Sequence, residues 1–263
     1  MEYRIGRVIF ALGIVALGIE SLVLGIPVQR LEAYQKDWPY YAEAGRAVGA
    51  VFVLVGGALF VDRVAKAAAV LLALVLLGWD IGFHLIKLLP TVSVGDHWGG
   101  FAETLAVFAA AWVLAALLPP PDSRGWKRIA AWGVPYGRIC FGVALIVFGA
   151  VHFIYLDFTA KFIPDWVPYR PFFAEFTGFA HIFAGLAILT GVLGRVGAIL
   201  AGVMYASWVV MLHIPRALHA TEQAPFEWNA VFVASILAAG AWLVAASFSR
   251  DSGRDAGQNP GRA

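Results

Sequence analysis

The sequence predicts an all-α integral membrane protein with eight transmembrane helices, arranged as two tandem four-helix bundles in parallel orientation. The first observation behind this fold class is composition, because the chain is 61% hydrophobic and only 14% charged. Soluble domains carry about 25% charged residues, so the deficit indicates that lipid surrounds much of the chain. The second observation is a series of apolar runs of membrane-spanning length, roughly 17 to 25 residues. These runs predict spans at 8–26, 42–61, 64–86, 100–118, 138–156, 172–193, 196–214 and 228–248.

The third observation is an internal similarity between the two halves of the chain. Residue types that rarely match by chance coincide at an offset of about 130 residues: Trp79 with Trp208, His84 with His213, and Lys87 with Arg216. Each half holds four predicted spans, so both copies lie the same way up. The sequence therefore predicts a tandem duplication, with a first bundle at 1–118, an interfacial linker at 119–135, a second bundle at 136–248 and a disordered cytoplasmic tail at 249–263.

Basic residues are distributed unevenly over the segments between the spans. With the N-terminus inside, twelve Lys and Arg residues fall on the inner segments and six on the outer ones. The positive-inside rule then predicts that both termini are cytoplasmic. The small formal net charge of +2 and the lack of a basic patch with interleaved aromatic residues exclude nucleic acid as a partner. Cys140 is the only cysteine, so no internal disulfide can form.

Small residues at helical spacing mark places where helices can approach one another. Gly45 and Gly49 are four residues apart, as are Gly78 and Gly82. In lipid, such spacing permits close van der Waals contact between helices. We therefore expect bundle packing at both pairs.

Ionisable side chains inside spans indicate candidate functional positions, because placing them in lipid is unfavourable. His152 and His181 lie at equal depth, about 21 Å from the inner ends of their spans. Their aligned positions in the first half hold Ser21 and Gly49. We infer that the two histidines face one cavity in the second bundle, which then carries the more specialised site. The alternative is that each is an isolated, hydrogen-bonded interior histidine.

Four further polar side chains accompany the histidine pair in the outer half of the second bundle: Glu175, His213, Arg216 and Glu227. In the predicted site, the two mid-depth histidines hydrogen-bond the head group of a ligand and Glu175 relays protons. Arg216 either holds a negative charge or forms an ion pair with Glu227 or Glu175. His213 and Arg216 then form the outer rim of the site.

The residue types also bear on cofactors. No cysteine pair or His-x-x-x-His spacing supports a metal site. Facing histidines would suit bis-histidine haem, but the first half lacks the pair, and we disfavour haem. The remaining option is a quinone or another amphipathic ligand, with its head near the outer interface and its tail between the helices.

The second half carries three short motifs, and its third span ends in a fourth: GAVHF at Gly149–Phe153, FIPDWVP at Phe162–Pro168, FFAEFTG at Phe172–Gly178 and HIPR at His213–Arg216. Together they resemble the DoxX-like family of four-helix bacterial membrane proteins. The resemblance implies a location in the bacterial cytoplasmic membrane. Some members of that family are membrane subunits of quinone-linked oxidoreductases, including thiosulfate:quinone oxidoreductase. The usual member is a single four-helix unit, so this chain departs from the pattern by being doubled.

Two functions follow from these observations. The first is a redox-associated membrane subunit that binds quinone or a similar lipid-soluble molecule and works with a redox partner subunit. The second is a non-catalytic membrane protein that binds a lipid or small solute as a carrier or accessory. The residues favour binding over catalysis, because they contain no nucleophile–base arrangement and no cofactor fingerprint. Only the family resemblance supports the redox function, and whether the protein is an enzyme stays open.

Overall fold

Helices form all the secondary structure in the part of the chain that the computed structural model describes, namely residues 2–28, 31, 38–93, 95–119, 124–222 and 224–258. In chain order they are α1 (Glu2–Leu24), α2 (Tyr41–Ala58), α3 (Asp62–Thr91), α4 (Gly95–Leu117), α5 (Arg124–Ile154), α6 (Leu156–Phe162), α7 (Arg170–Thr190), α8 (Gly194–His219) and α9 (Ala224–Gln258). The predicted all-α class is confirmed.

Within the described residues, seven helices are long and apolar enough to cross a membrane: α1, α3, α4, α5, α7, α8 and α9. The chain is therefore a multi-pass membrane protein. Helix α2 covers the remaining predicted span, but it has only 18 residues and carries Glu43 and Arg46 near its N-terminal end. The number of eight spans stays a prediction, because α2 is not among the seven.

The central helices are α4 and α9, which pack against each other. Both are rich in alanine and buried on most faces, as is typical of a helix that is apolar nearly all round. Helix α1 packs against α2 and α9, whereas α5 packs against α7 and α4. The first helix of each half thus contacts the last helix of the other half. This differs from two self-contained bundles, because the two apolar central helices need neighbours from both halves to cover them.

Two π-helical segments lie at matching places in the two halves. The segment in α3 is Asp80–Leu85, directly after Trp79, and the segment in α8 is Val209–His213, directly after Trp208. The two tryptophans are partners in the predicted internal alignment. A π-helical turn inserts an extra residue, re-aims the side chains that follow and recurs at functional sites. The shared feature supports the predicted register between the halves.

Two predicted segment boundaries differ from the structure. Helix α5 begins at Arg124 and runs unbroken through Pro135, so the part of the expected linker from 124 to 135 is helical, while 120–123 lie outside the described residues. No glycine or proline occurs between Trp126 and Trp132, which allows the helix to form there. At the other end of the second half, α9 continues to Gln258, into the expected tail at 249–263. No proline occurs between Pro225, at the start of α9, and Pro260, so none stops the helix earlier. Residues 259–263 lie outside the described part of the chain.

Basic side chains join helices at the end of the assembly where α3 begins and α4 ends. The buried Lys66 donates a hydrogen bond from Nζ to the backbone oxygen of Leu118 at 2.9 Å. Arg138 donates from Nε to Oγ of Ser247 at 2.9 Å. Lys66 and Arg138 are among the residues that the positive-inside rule assigns to the cytoplasmic side. Their bonds connect α3 to α4 and α5 to α9.

Helices α1 and α2 approach closely where Gly18 faces Gly49. A Cβ atom added to Gly49 would lie 2.4 Å from the backbone nitrogen of Leu22 and 2.7 Å from the carbonyl oxygen of Gly18. Backbone atoms of a packed helix cannot move aside as a flexible side chain can. The contact therefore requires glycine at this position.

Gly49→Ala is expected to destabilise the protein by about 1–3 kcal/mol, the range for overpacking a well-packed interior. The matched control is Gly57→Ala on the same helix, where an added Cβ meets nothing within 4 Å. That variant should be neutral or slightly stabilising, because alanine favours a helix over glycine by about 0.5–1 kcal/mol. Thermal unfolding in detergent, followed by circular dichroism, measures both. Equal stability of the two variants would contradict the close α1–α2 contact.

Candidate ligand cavity

A cavity of about 1620 Å³ lies between α5, α7, α8 and α9. Its lining is mainly aliphatic and aromatic, with a small number of polar side chains, which is the usual character of a small-molecule site. The first half also contributes, through Ser93 and through Gly99 and Glu103 of α4. The hydroxyl of Tyr155 donates a hydrogen bond to the backbone oxygen of Ser93 at 2.9 Å, joining the two halves at the cavity wall.

His152 of α5 and His181 of α7 lie side by side on the cavity wall, with ring centroids 5.0 Å apart. The Nδ1 atom of His152 donates to the backbone oxygen of Phe148 at 2.8 Å, and Nδ1 of His181 donates to that of Thr177 at 2.8 Å. Each ring is thereby fixed by its own helix one turn earlier. Both rings line the same cavity, so the two histidines are not isolated from each other.

Aromatic side chains enclose the histidine pair. The Trp208 ring stacks on His152 at a centroid distance of 5.8 Å and lies 5.6 Å from His181. Phe148 lies 5.7 Å from His181. The hydroxyl of Tyr205 is 3.1 Å from Nε2 of His181 and shares a hydrogen bond with it. Flat, rigid rings therefore surround His152 and His181.

Arg216 of α8 and Glu227 of α9 form an ion pair on the cavity wall. Nη2 of Arg216 lies 2.5 Å from Oε1 of Glu227, and Nε lies 3.0 Å from Oε2, so the pair is bidentate. The guanidinium carbon also lies 4.5 Å from the ring centroid of Phe162. His213 lines the cavity near this rim. The positive charge of Arg216, which we expected to bind a ligand, is thus already paired with Glu227.

The cavity reaches the lipid-facing surface between α7 and α8. Its lining residues include side chains that are exposed on the outside of these helices, among them Phe183, Leu193 and Leu200. At Gly197 of α8 an added Cβ would lie 3.0 Å from Cβ of Ala187 and 3.4 Å from Cα of Ala184, so α7 and α8 pack closely at this point. The cavity therefore meets the surface of the molecule at Phe183, Leu193 and Leu200.

Five of the six predicted site residues line the cavity: His152, His181, His213, Arg216 and Glu227. Glu175 does not, since its side chain is exposed on another face of α7. It precedes His181 by six positions, and residues six apart on an α-helix point about 120° away from each other. The predicted proton relay through Glu175, and its pairing with Arg216, are corrected accordingly.

Tyr205, Trp208 and Glu103 line the cavity although they were not among the predicted site residues. Tyr205 could have been recognised as a hydroxyl inside an apolar span, three residues before Trp208. Glu103 could have been recognised as an ionisable residue within a span. Its position at the cavity of the second half, however, follows only from the packing of α4 against α5.

The aligned region of the first half is filled by side chains. Phe52 is fully buried and stacks on Trp79 at a centroid distance of 5.6 Å. The internal alignment places Phe52 opposite Ala184, and Ala184 lines the cavity. The first half thus has a buried phenyl ring at the position where the second half has the small, cavity-lining Ala184. Among the described residues, no group of three or more His, Cys, Asp or Glu side chains is placed to hold a metal ion.

Comparison with known proteins gives a match for the second half. No curated protein and no solved structure matches the chain. The model of the DoxX family matches residues 133–214, a segment that runs from α5 into α8. It includes the histidine pair with Tyr205, Trp208 and His213. The match confirms the resemblance predicted from the sequence motifs, because residues 133–214 of this multi-pass membrane protein are similar to the DoxX family.

Proposed function

We propose that the protein binds quinone or a similar lipid-soluble amphipathic molecule in the cavity of its second half. The observation that carries this proposal is the pair His152 and His181, 5.0 Å apart, on the wall of an apolar cavity that opens sideways to lipid. A ring-shaped head group would lie against the tryptophan and phenylalanine rings and take hydrogen bonds from the polar side chains.

The length of the cavity suits a long apolar tail. Along α8 its lining extends from Leu193 to Arg216, which corresponds to a helix length of roughly 35 Å. The hydrocarbon core of a bilayer is about 30 Å thick. A tail that runs from the histidines toward Leu193 would lie among apolar side chains and reach the exposed Leu200 and Leu193.

The redox role belongs to the same proposal and rests on the resemblance to quinone-linked oxidoreductase subunits. In that role the ligand would exchange electrons with a partner subunit on the outer side. The proposed topology has eight spans with both termini in the cytoplasm of a bacterial inner membrane, as the uneven distribution of basic residues favours. The crossed helix packing and the matching π-helical segments support a tandem duplication as its origin.

A non-catalytic function in lipid or small-solute binding is the second candidate. One observation favours it, because Arg216 is engaged by Glu227 in a bidentate ion pair. A guanidinium held in this way does not supply an unmatched charge for stabilising a charged reaction intermediate. The cavity would then hold a neutral lipid or solute without transforming it.

Replacing His152 and His181 together by alanine is expected to lower the amount of co-purified quinone at least tenfold, because the hydrogen bond between His152 and the head group and both imidazole rings of the cavity wall are lost. Solvent extraction and mass spectrometry of the purified protein measure this amount. The matched control is His219→Ala, since His219 is exposed beyond the rim and does not line the cavity. Unchanged occupancy in the double variant, or no quinone in any preparation, would overturn the quinone proposal.

A further inference from the structure

The hydrogen bonds of the histidine pair determine where its ring protons lie. A backbone carbonyl oxygen can only accept, so Nδ1 of His152 and Nδ1 of His181 must both carry a proton to bond Phe148 and Thr177. Two imidazolium rings 5.0 Å apart in an apolar cavity would repel each other strongly. A neutral imidazole has one ring proton, so in the uncharged pair both Nε2 atoms are hydrogen-bond acceptors.

The two Nε2 acceptors differ in their partners. Nε2 of His181 is 3.1 Å from the Tyr205 oxygen and accepts the hydroxyl proton of that tyrosine. Nε2 of His152 makes no hydrogen bond to any residue in the described part of the chain. His152 lines the cavity, so its lone pair is available to a molecule inside. The polar centre of the cavity therefore presents Nε2 of His152 as a hydrogen-bond acceptor. The nearest hydroxyl donor, that of Tyr205, is already bonded to His181.

We propose that the cavity selects a ligand that donates a hydroxyl proton to Nε2 of His152, namely the hydroquinone form of a lipid-soluble quinone. The oxidised quinone has only carbonyl oxygens at these positions, and two acceptors facing each other in an apolar space are unfavourable. Trp208 stacks against the His152 ring, which holds the acceptor in place beside the aromatic head group. This inference rests on the proposed function and narrows its ligand to the reduced, proton-donating form.

The test compares three molecules that share a decyl chain: the hydroquinone, the benzoquinone and the dimethyl ether of the hydroquinone. Protein in lipid nanodiscs is incubated with each under anaerobic conditions, bound ligand is measured by mass spectrometry, and empty nanodiscs correct for partition into lipid. The hydroquinone is expected to bind about tenfold more tightly than either other molecule, the change for one well-placed hydrogen bond in a dry site. Equal binding of all three would overturn the donor selectivity and leave the proposed function standing. Absence of binding by all three would instead reject the proposed function.

Two variants test whether Nε2 of His152 causes the preference for hydroquinone. His152→Phe keeps an aromatic ring but removes the acceptor, so it should bring the affinity ratio of hydroquinone to dimethyl ether close to one without weakening the ether. Tyr205→Phe removes the donor to His181 and exposes a second acceptor, so it should preserve or increase the ratio. A preserved ratio in His152→Phe, or a lost ratio in Tyr205→Phe, contradicts the assignment. Nitrogen-15 NMR of histidine-labelled protein provides an independent check, because a proton on Nε2 of neutral His152 would also overturn it.

Discussion

Arg216→Met is expected to destabilise the protein by about 3 kcal/mol, because it removes the guanidinium that donates two hydrogen bonds to the buried carboxylate of Glu227. The Glu227 side chain is only 7% exposed, whereas that of Arg216 is 35% exposed. Breaking a fully buried pair typically costs about 3–5 kcal/mol, and the partial exposure of Arg216 places this pair at the lower end. Loss of the guanidinium contact with Phe162 acts in the same direction.

The difference in exposure between Arg216 and Glu227 also predicts how the stabilities of related variants should rank. Glu227→Gln leaves Arg216 able to reach water, so its effect should be smaller than that of Arg216→Met. The double variant Arg216→Met with Glu227→Leu removes both charges and should recover much of the lost stability. Unfolding in detergent, followed by tryptophan fluorescence, measures the series.

A matched control for the buried pair is Arg170→Ala. Arg170 pairs with Asp165 outside the cavity, and the Asp165 side chain is exposed. Exposed ion pairs contribute about 0–1 kcal/mol, so this variant should lose little. If Arg216→Met were no more destabilising than Arg170→Ala, the Glu227 carboxylate would have access to water, and its burial in the structure would be contradicted.

The fold class could be predicted from the sequence because the energy of placing a segment in lipid depends on that segment alone. Which helices contact each other could not, since lipid is as apolar as the side chains and leaves no clear buried stripe. The glycine pairs illustrate this limit. At Gly45 and Gly49 an added Cβ would meet backbone atoms of α1 or the turn that follows it, whereas at Gly78 and Gly82 it meets nothing within 4 Å. The same spacing therefore marks a helix contact in one case and an open surface in the other.

The candidate site was predictable to the extent that depth and charge define it. His152 and His181 were found because ionisable groups in lipid are rare and because the first half lacks them. Glu175 was misplaced because depth along a helix says nothing about the angle around it. Tyr205 was missed because an aromatic residue in an apolar span has an ordinary structural explanation. Glu103 of the first half lines the cavity because α4 packs against α5. The order of the spans along the chain does not reveal that contact.

Phe52→Ala is expected to destabilise the protein by about 3–5 kcal/mol, the usual range for truncating a buried phenylalanine. Phe52 has 0% exposure, and its ring stacks on Trp79 at 5.6 Å. Removing it would leave a void in the first half at the position that corresponds to the open cavity of the second. The control is Leu54→Ala on the same helix, because Leu54 is exposed on the outer face and its truncation creates no void. Unfolding in detergent should separate the two variants clearly, and similar losses would show that the first half can close the gap by repacking.

The reciprocal change, Ala184→Phe, tests whether this one position decides which half has a cavity. Ala184 lies three residues after His181 and lines the cavity, so a phenyl ring there would fill space beside the histidines. Since Ala184 lines the cavity, we expect the ring to fill part of that space, so that the fold persists while binding of decylhydroquinone falls at least tenfold. Retained binding would mean that the head group lies elsewhere in the cavity. Loss of folding would mean that α7 and α8 tolerate no larger side chain between them, and the aligned positions would then not be equivalent.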